Sequence, residues 1–217
     1  MGTTKDIREA VEAELRFDPL VDETDIVVRN ISGDVALNGT VPSYPQYLEA
    51  TAAAQRVAGV KNVHNHLGVM LPDGDYRDDA MLTTAANNAL TLNVTVPDGV
   101  EATADDGNLT LTGLVTYGRQ REAAELAVAG LTGVRNVKND INVSYDADPV
   151  DVTGLVQGAL DRSALISDDS DVSVDTRGNT VTLRGHVRTW AERDAVVGAA
   201  WMAGGVSEVR DALVITG

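Results

Sequence analysis

One pattern occurs three times in the sequence, with a large apolar residue at every second position around a glycine: Val35-Ala-Leu-Asn-Gly39-Thr-Val41, Leu109-Thr-Leu-Thr-Gly113-Leu-Val115 and Val181-Thr-Leu-Arg-Gly185-His-Val187. This alternation is typical of a strand that buries one face, and we expect the strand to end at the glycine before the second helix. A second glycine follows each stretch at the same offset: Gly59, Gly133 and Gly205. Identical spacing in three copies, 74 and then 72 residues apart, indicates an internal repeat.

Each copy predicts the same order of helices and strands. Apolar residues at i, i+4 and i+8 indicate a first helix: Ile7/Val11/Leu15, Leu82/Ala86/Leu90 and Val152/Val156/Leu160. Two strands follow, joined by a tight turn that contains a glycine. Capping boxes at Ser43 and Thr189 mark the start of a second helix in two of the copies. We expect the repeated glycine of the second set to end that helix in the left-handed conformation, and a third strand to close the copy.

The order α-β-β-α-β predicts an α+β fold of the α/β-sandwich type. The first two strands form an antiparallel hairpin, and a right-handed crossover through the second helix places the third strand parallel to the second. We therefore expect three tandem modules at residues 3–72, 77–146 and 149–217. Each should have a three-stranded mixed sheet covered on one face by two helices.

At these residues the chain resembles the BON family, named for bacterial osmotically inducible and nodulation proteins. The family's marks are the glycine before the second helix and a Gly-Val-x-x-Val-x-[Asn/Asp]-x-[Leu/Ile] stretch. The stretch occurs here as Gly59 to Leu67, Gly133 to Ile141 and Gly205 to Leu213. The resemblance makes Gly39, Gly59, Gly113, Gly133, Gly185 and Gly205 a structural signature and covers nearly the whole chain. Tandem stress-related members usually carry two modules, so three is a departure.

The resemblance implies binding without catalysis. It favours a non-enzymatic interaction protein of osmotic or general stress protection with chaperone-like activity and without a cofactor. Peripheral binding to phospholipid membranes is an alternative, and binding or sensing of small cations (K⁺ or divalent ions) is another. The expected partner is a protein or a membrane surface. The residues agree in one respect, because they contain no P-loop, no HExxH and no nucleophile-base pair of known spacing.

Composition narrows the classes of partner. The formal net charge is −16, spread along the chain, and such a surface repels nucleic-acid backbones and anionic lipids at long range. There is no Cys, which excludes disulfides and thiolate ligands. No apolar run approaches the ~20 residues of a membrane-spanning helix, and no secretory signal is evident. We expect a cytoplasmic protein as the chain stands, or a periplasmic one if a signal was removed.

Histidines and aspartates are the candidate metal ligands. His64 and His66 are two residues apart on the predicted third strand and share its outward face, and they are the weak candidates for a metal site private to the first module. Aspartates cluster in loops, including Asp73/Asp75/Asp78/Asp79, Asp146/Asp148/Asp151 and Asp168/Asp169/Asp171, but none fits an EF-hand loop. Solvated loops and a solvated sheet face are the alternative explanation for both groups.

Large apolar residues outside the repeated core positions are the candidate interface. Trp201 and Met202 lie on the second helix of the third module, where the other copies carry Gln55/Arg56 and Ala129/Gly130. Trp190 follows the helix cap, where the other copies carry Tyr44 and Gly118. Trp side chains often anchor contacts. These three residues therefore mark either an external interface or packing between the second and third modules, and the sequence leaves both open.

Overall fold

The computed structural model describes residues 4–144, 152–166 and 171–216. The first module contains α1 (Thr4–Phe17), β1 (Ile26–Ile31), β2 (Asp34–Val41), α2 (Tyr44–Gln55) and β3 (Asn62–Val69). The second contains α3 (Asp79–Leu92), β4 (Glu101–Asp105), β5 (Asn108–Thr112), β6 (Leu114–Val115), α4 (Gly118–Ala129), β7 (Asn136–Asn139) and β8 (Asn142–Val143). The third contains α5 (Val152–Asp161), β9 (Val172–Arg177), β10 (Thr180–Val187), α6 (Trp190–Met202) and β11 (Glu208–Ile215). The prediction of three tandem α-β-β-α-β modules is confirmed.

The sheets have the expected mixed topology. β2 pairs antiparallel with β1 and parallel with β3, and β10 pairs in the same way with β9 and β11. The second module has the strand order β4-β5-β7, and β6 and β8 form a separate parallel pair. In the first module the stripe of α1, the small residues of α2 and the inward positions of the strands form one buried cluster, and the third module repeats it. None of the helices in the described ranges is long and apolar enough to cross a membrane.

The described chain divides into two compact units, and the division runs through the second module. One unit holds the described residues up to 86 with residues 103–110 and 128–138. The other holds residues 87–102 and 111–127 together with the described residues from 139 onward. The second module therefore contributes residues to both compact units.

Two glycines of the first repeated set, Gly39 and Gly185, lie inside the second strand of their modules and not at its end. β2 and β10 continue past Gly39 and Gly185, whereas Gly113 separates β5 from β6. All three have positive φ, at +122°, +143° and +128° respectively. A Cβ on Gly39 would lie 1.8 Å from the carbonyl oxygen of Asp25, because the chain entering β1 lies close beside the glycine, with Ile26 in register with it. Only glycine leaves room for that close approach, and the strand continues past it.

Contrary to the prediction, the glycines of the second set do not end the second helix. They lie in the turn after it and have positive φ. α2 ends at Gln55, and Gly59 lies in the turn that leads to β3. Gly59, Gly133 and Gly205 have φ of +87°, +101° and +80°. The turn extends the connection between helix and strand, and the glycine reverses the chain at its end.

Gly133→Val should destabilise the second module by more than about 1 kcal/mol, because a β-branched residue resists positive φ. Its Cβ would also lie 2.9 Å from the side-chain carbons of Arg77. Urea denaturation of the full chain measures the effect. Gly130→Ala is the matched control, since a Cβ there meets nothing within 4 Å. Equal midpoints for the two variants would contradict the requirement for glycine at position 133.

Candidate functional site

The end of α6 in the third module contacts the start of α4 in the second. A Cβ built on Gly118 would lie 2.1 Å from Cε3 of Trp201, so the indole lies directly on the backbone of that glycine. A Cβ on Gly204 would lie 3.5 Å from Cε1 of Tyr117, which places the phenol ring beside the turn after α6. Each module thus places an aromatic ring against a glycine of the other, and bare backbone allows that close approach.

Comparison of the three copies explains why the second module has room for the indole of Trp201 at Gly118. The position of Gly118 is occupied by Tyr44 in the first module and by Trp190 in the third. Tyr44 is buried and stacks on Tyr47, with ring centroids 5.6 Å apart. Trp190 packs against the third module's core, and the guanidinium of Arg193 lies 4.6 Å from its ring centroid. The second module lacks this aromatic side chain, and Trp201 occupies the space beside Gly118.

The three sequence-predicted interface residues therefore have different surroundings. Trp201 is partly buried against both Gly118 and its own module's core, and Trp190 is partly buried against that core. Met202 is 63% exposed. This geometry favours packing between modules for Trp201. An external contact through any of the three stays a prediction.

An open cleft of about 560 Å³ lies beside the indole of Trp201. Side chains of both signs line it, including Arg119, Glu122 and Asp194. Arg119 Nη1 and Glu122 Oε2 are 2.6 Å apart. Partial burial raises the pKa of Asp194, the carboxylates of Asp211 and Glu122 add to the rise, and the Arg193 guanidinium opposes it. The Arg119–Glu122 pair lies within α4, and among the lining residues no nucleophile is paired with a base.

A polar link between the third strand and the second helix recurs in every module. In the first module, Asn65 Nδ2 donates to the carbonyl oxygen of Tyr47 at 2.8 Å, and its Oδ1 accepts from the backbone N–H of Leu67 at 2.9 Å. In the second, Asn139 makes the same two bonds, with the carbonyl of Arg121 and the N–H of Ile141, at 2.8 and 3.3 Å. The Asn or Asp of the Gly-Val-x-x-Val-x-[Asn/Asp]-x-[Leu/Ile] pattern thus connects the third strand to the second helix. The sequence alone did not predict this role.

The third module makes this link with an ion pair. Asp211 Oδ1 accepts from the N–H of Leu213 at 2.9 Å, and its other carboxylate oxygen lies 2.7 Å from Arg193 Nη2. Arg193 occupies the position of Tyr47 and Arg121. The guanidinium replaces the backbone carbonyl as partner because a carboxylate cannot donate.

Asp211→Ala should destabilise the third module by about 1–3 kcal/mol, since it leaves a half-buried guanidinium and a backbone N–H without their acceptor. Asp211→Asn keeps an acceptor for Leu213 and should cost less. Thermal unfolding of the full chain distinguishes the two variants. If both variants melted at the same temperature as the wild-type protein, the link between Asp211 and Arg193 would not contribute to stability.

A second recurrent feature is the turn after the first helix. A side-chain oxygen at one position accepts from the backbone N–H two residues later in all three modules: Asp18 to Leu20 at 2.9 Å, Asn93 to Thr95 at 3.0 Å and Ser163 to Leu165 at 3.3 Å. Asp, Asn and Ser can all make this hydrogen bond, so the turn is the same in the three modules although the residue type differs. Large apolar side chains on either side of this turn are exposed to solvent.

Exposed apolar side chains lie near the end of the first helix in each of the three modules: Phe17 at 82%, Leu20 at 65%, Leu92 at 83%, Val94 at 99% and Leu165 at 69% exposure. In the first module, Leu20 also lines a cleft of about 640 Å³ with Pro19, Val21 and Pro45. The fold does not require these residues, because they lie outside the buried clusters. We call this set the helix-end apolar residues.

Asp18 also anchors an ionic cluster in the first module. Arg56 pairs with Asp18, and its guanidinium lies 2.9 Å from carboxylates of both Glu14 and Glu49, which joins α1 to α2. The hydrogen bond from the N–H of Leu20, followed by that from Arg56, lowers the pKa of Asp18 below its ordinary 3.8. The carboxylate form is therefore favoured in the folded state.

Because the pKa of Asp18 is lowered on folding, its contribution to stability is present above about pH 4 and is lost as the pH falls through its folded value. Asp18→Asn should therefore remove part of the loss of stability between pH 4 and pH 2 that the wild-type protein shows. Hydrogen exchange of the α1 amides at pH 6 and pH 3 measures it in the first module. An identical acid dependence in both proteins would contradict this role of Asp18.

The candidate metal ligands lie apart from these features. His64 and His66 are exposed on β3, and their rings are nearly parallel, with centroids 6.4 Å apart. No group of three or more His, Cys, Asp or Glu that could hold a metal occurs within the described ranges. The aspartates Asp146, Asp148, Asp151, Asp168 and Asp169 lie outside those ranges.

Comparison with known proteins agrees with the repeat. The model of the BON domain matches residues 3–70, 78–145 and 148–217. The osmotically-inducible protein Y of Escherichia coli (strain K12) is 32% identical over 136 residues, which cover 60% of this chain and 68% of that protein. The C-terminal domain of CdsD, a structural protein of the type III secretion system of Chlamydia trachomatis, aligns over 100% of both chains at 17% identity and with a TM-score of 0.27. The three domain matches span nearly the whole sequence, and the chain belongs to the BON domain family.

Proposed function

We propose that this chain is a non-enzymatic protein of the osmotic-stress response that binds exposed apolar segments of other proteins in a chaperone-like manner. The similarity to the osmotically-inducible protein Y supports the link to osmotic stress. The recurrence of the helix-end apolar residues is the observation that carries the binding mode. Large apolar side chains held in solvent near the end of the first helix in each of three modules have no use in the core and fit a repeated contact surface.

Repetition strengthens weak contacts. A single Phe or Leu contributes little to affinity, but three linked modules make the later contacts intramolecular and raise the overall avidity. The net charge of −16 keeps such a complex dispersed, since like-charged particles repel one another. A surface of few apolar groups in an acidic background suits transient binding of unfolding chains.

The test is suppression of aggregation. A thermally unfolding reporter enzyme is heated with the protein while light scattering is recorded. The wild-type protein should reduce scattering, and a variant with Phe17→Ser, Leu20→Ser, Leu92→Ser and Leu165→Ser should lose most of that effect while its melting temperature stays within a few degrees. A control with the same number of exposed apolar residues replaced elsewhere (Val27→Thr, Ile31→Thr, Leu126→Ser and Val214→Thr) should retain it.

Two outcomes would contradict the proposal. One is equal protection by the helix-end variant and the wild-type protein. The other is flotation of the protein with vesicles of anionic phospholipid, which would favour the membrane alternative. Flotation is not expected, because attraction to such vesicles needs clustered Lys and Arg. Two basic residues line the Trp201 cleft: Arg119 pairs with Glu122, and Arg121 donates to the carbonyl oxygen of Asn139.

A further inference from the structure

We propose that His64 and His66 form a two-imidazole binding site for a late first-row divalent ion, of the class of Cu²⁺, Ni²⁺ or Zn²⁺, on the outer face of the first module's sheet. The inference is independent of the proposed chaperone-like function. It rests on where β3 places the two rings, on what surrounds them and on the preference of these ions for imidazole nitrogen.

The strand places the two imidazoles side by side. Residues two apart on a strand share a face, and β3 is an edge strand of the sheet order β1-β2-β3. Both side chains are exposed, their planes differ by 8° and their centroids are 6.4 Å apart. An ion held at about 2 Å from each nitrogen needs those nitrogens within about 4 Å of each other. Rotation about the side-chain bonds brings the rings to that separation without moving the strand.

The surroundings leave space for an ion. On β2 the residues in register with His64 and His66 are Ala36 and Asn38, so neither ring has a charged residue directly beside it on that strand. Arg29 of β1 is in register with Ala36 and lies one strand further away. Beyond His66 the next residue on the same face is Gly68, where even an added Cβ would have only ordinary contacts at 3.8 Å. The net charge of −16 raises the concentration of cations around the protein as a whole.

The site has an incomplete coordination shell. Within the described ranges no third His, Cys, Asp or Glu joins the pair, so a bound ion keeps water ligands. Such a site exchanges its ion readily and does not hold the fold together. The corresponding positions in the other modules are Lys138/Asp140 and Arg210/Ala212, which makes the site private to the first module.

The experiment is titration of the full chain with Cu²⁺ and with Ni²⁺ at neutral pH, followed by calorimetry and by electron paramagnetic resonance for Cu²⁺. The wild-type protein should bind one ion with nitrogen hyperfine coupling from two imidazoles. His64→Ala and His66→Ala should each weaken that binding at least tenfold, and the double variant should bind no more tightly than either single variant. His186→Ala, which removes the third histidine of the chain, should leave it unchanged.

Three outcomes would overturn the site. The first is wild-type binding no tighter than that of the double variant. The second is loss of binding in His186→Ala to the same extent as in His64→Ala. The third is retention of full affinity by one of the two single variants, which would mean that one imidazole suffices and that the pair does not chelate.

Discussion

Gly185→Ala is expected to destabilise the third module by more than about 3 kcal/mol, because the added methyl group has no room beside the backbone of the neighbouring strand. The added Cβ would lie 1.6 Å from the carbonyl oxygen of Asp171 and 2.7 Å from its carbonyl carbon. Both are backbone atoms, so no side chain can turn aside to relieve the clash. The residue also has φ of +128°, where an L-residue is strained.

Gly198→Ala is the matched control in the same module. Gly198 lies inside α6, and a Cβ there meets nothing within 4 Å. Alanine in a helix interior is favoured over glycine by roughly 0.5–1 kcal/mol, so this variant should be slightly more stable than the wild-type protein. Chemical denaturation followed by far-ultraviolet circular dichroism measures both. Similar midpoints for the two variants would show that β9 and β10 can separate at Gly185 without cost.

The same argument shows what the sequence could predict about the glycines. Three identically spaced glycines indicate a backbone requirement, and that much follows from the repeat. The predicted reason, a strand that ends, was wrong for Gly39 and Gly185, because the constraint comes from the chain entering β1, which lies 13 to 14 residues earlier in the sequence. A close approach between distant backbone segments leaves no local pattern beyond the glycine itself.

The periodic features were predictable for a different reason. Helix stripes and strand alternation depend on which face is buried, and burial is written into the residue types at periods of 3.6 and 2. The turn after the first helix was not, because Asp18, Asn93 and Ser163 are three chemically different side chains that perform one hydrogen-bonding task. The helix-end apolar residues around this turn were missed with it, because they do not recur at one fixed position in all three copies.

The contact between modules lay between these extremes. The alignment of the repeats showed that Trp201 is larger than its counterparts and that Gly118 stands where the other modules carry an aromatic residue. Each observation alone predicts only an unusual surface. Together they indicate an extra aromatic side chain in the third module and a missing one in the second. Only the structure shows that Trp201 lies against Gly118.

Trp201 is therefore expected to act as the aromatic residue that the second module lacks. Gly118→Ala should displace the indole, since its Cβ would lie 2.1 Å from Cε3 of Trp201, and uncouple the two modules at a cost of about 1–3 kcal/mol. Trp201→Gln should have a similar effect. In a Trp190→Phe background, Trp201 is the single tryptophan, so Gly118→Ala should move its emission to the red and increase its quenching by acrylamide. Gly130→Ala, with no contact within 4 Å of the added Cβ, should change neither.

A rescue experiment separates this complementation from a general loss of packing. The double variant Gly118→Tyr with Trp201→Gln supplies the aromatic ring from within the second module, as Tyr44 does in the first. The second module should then recover most of the stability lost in Trp201→Gln alone, while its unfolding becomes independent of the third module. Because the two substitutions act on one contact, their effects should be strongly non-additive. Additive losses would mean that the tyrosine does not enter the space that the indole occupies, and unchanged fluorescence in Gly118→Ala would mean that the indole does not lie on that glycine.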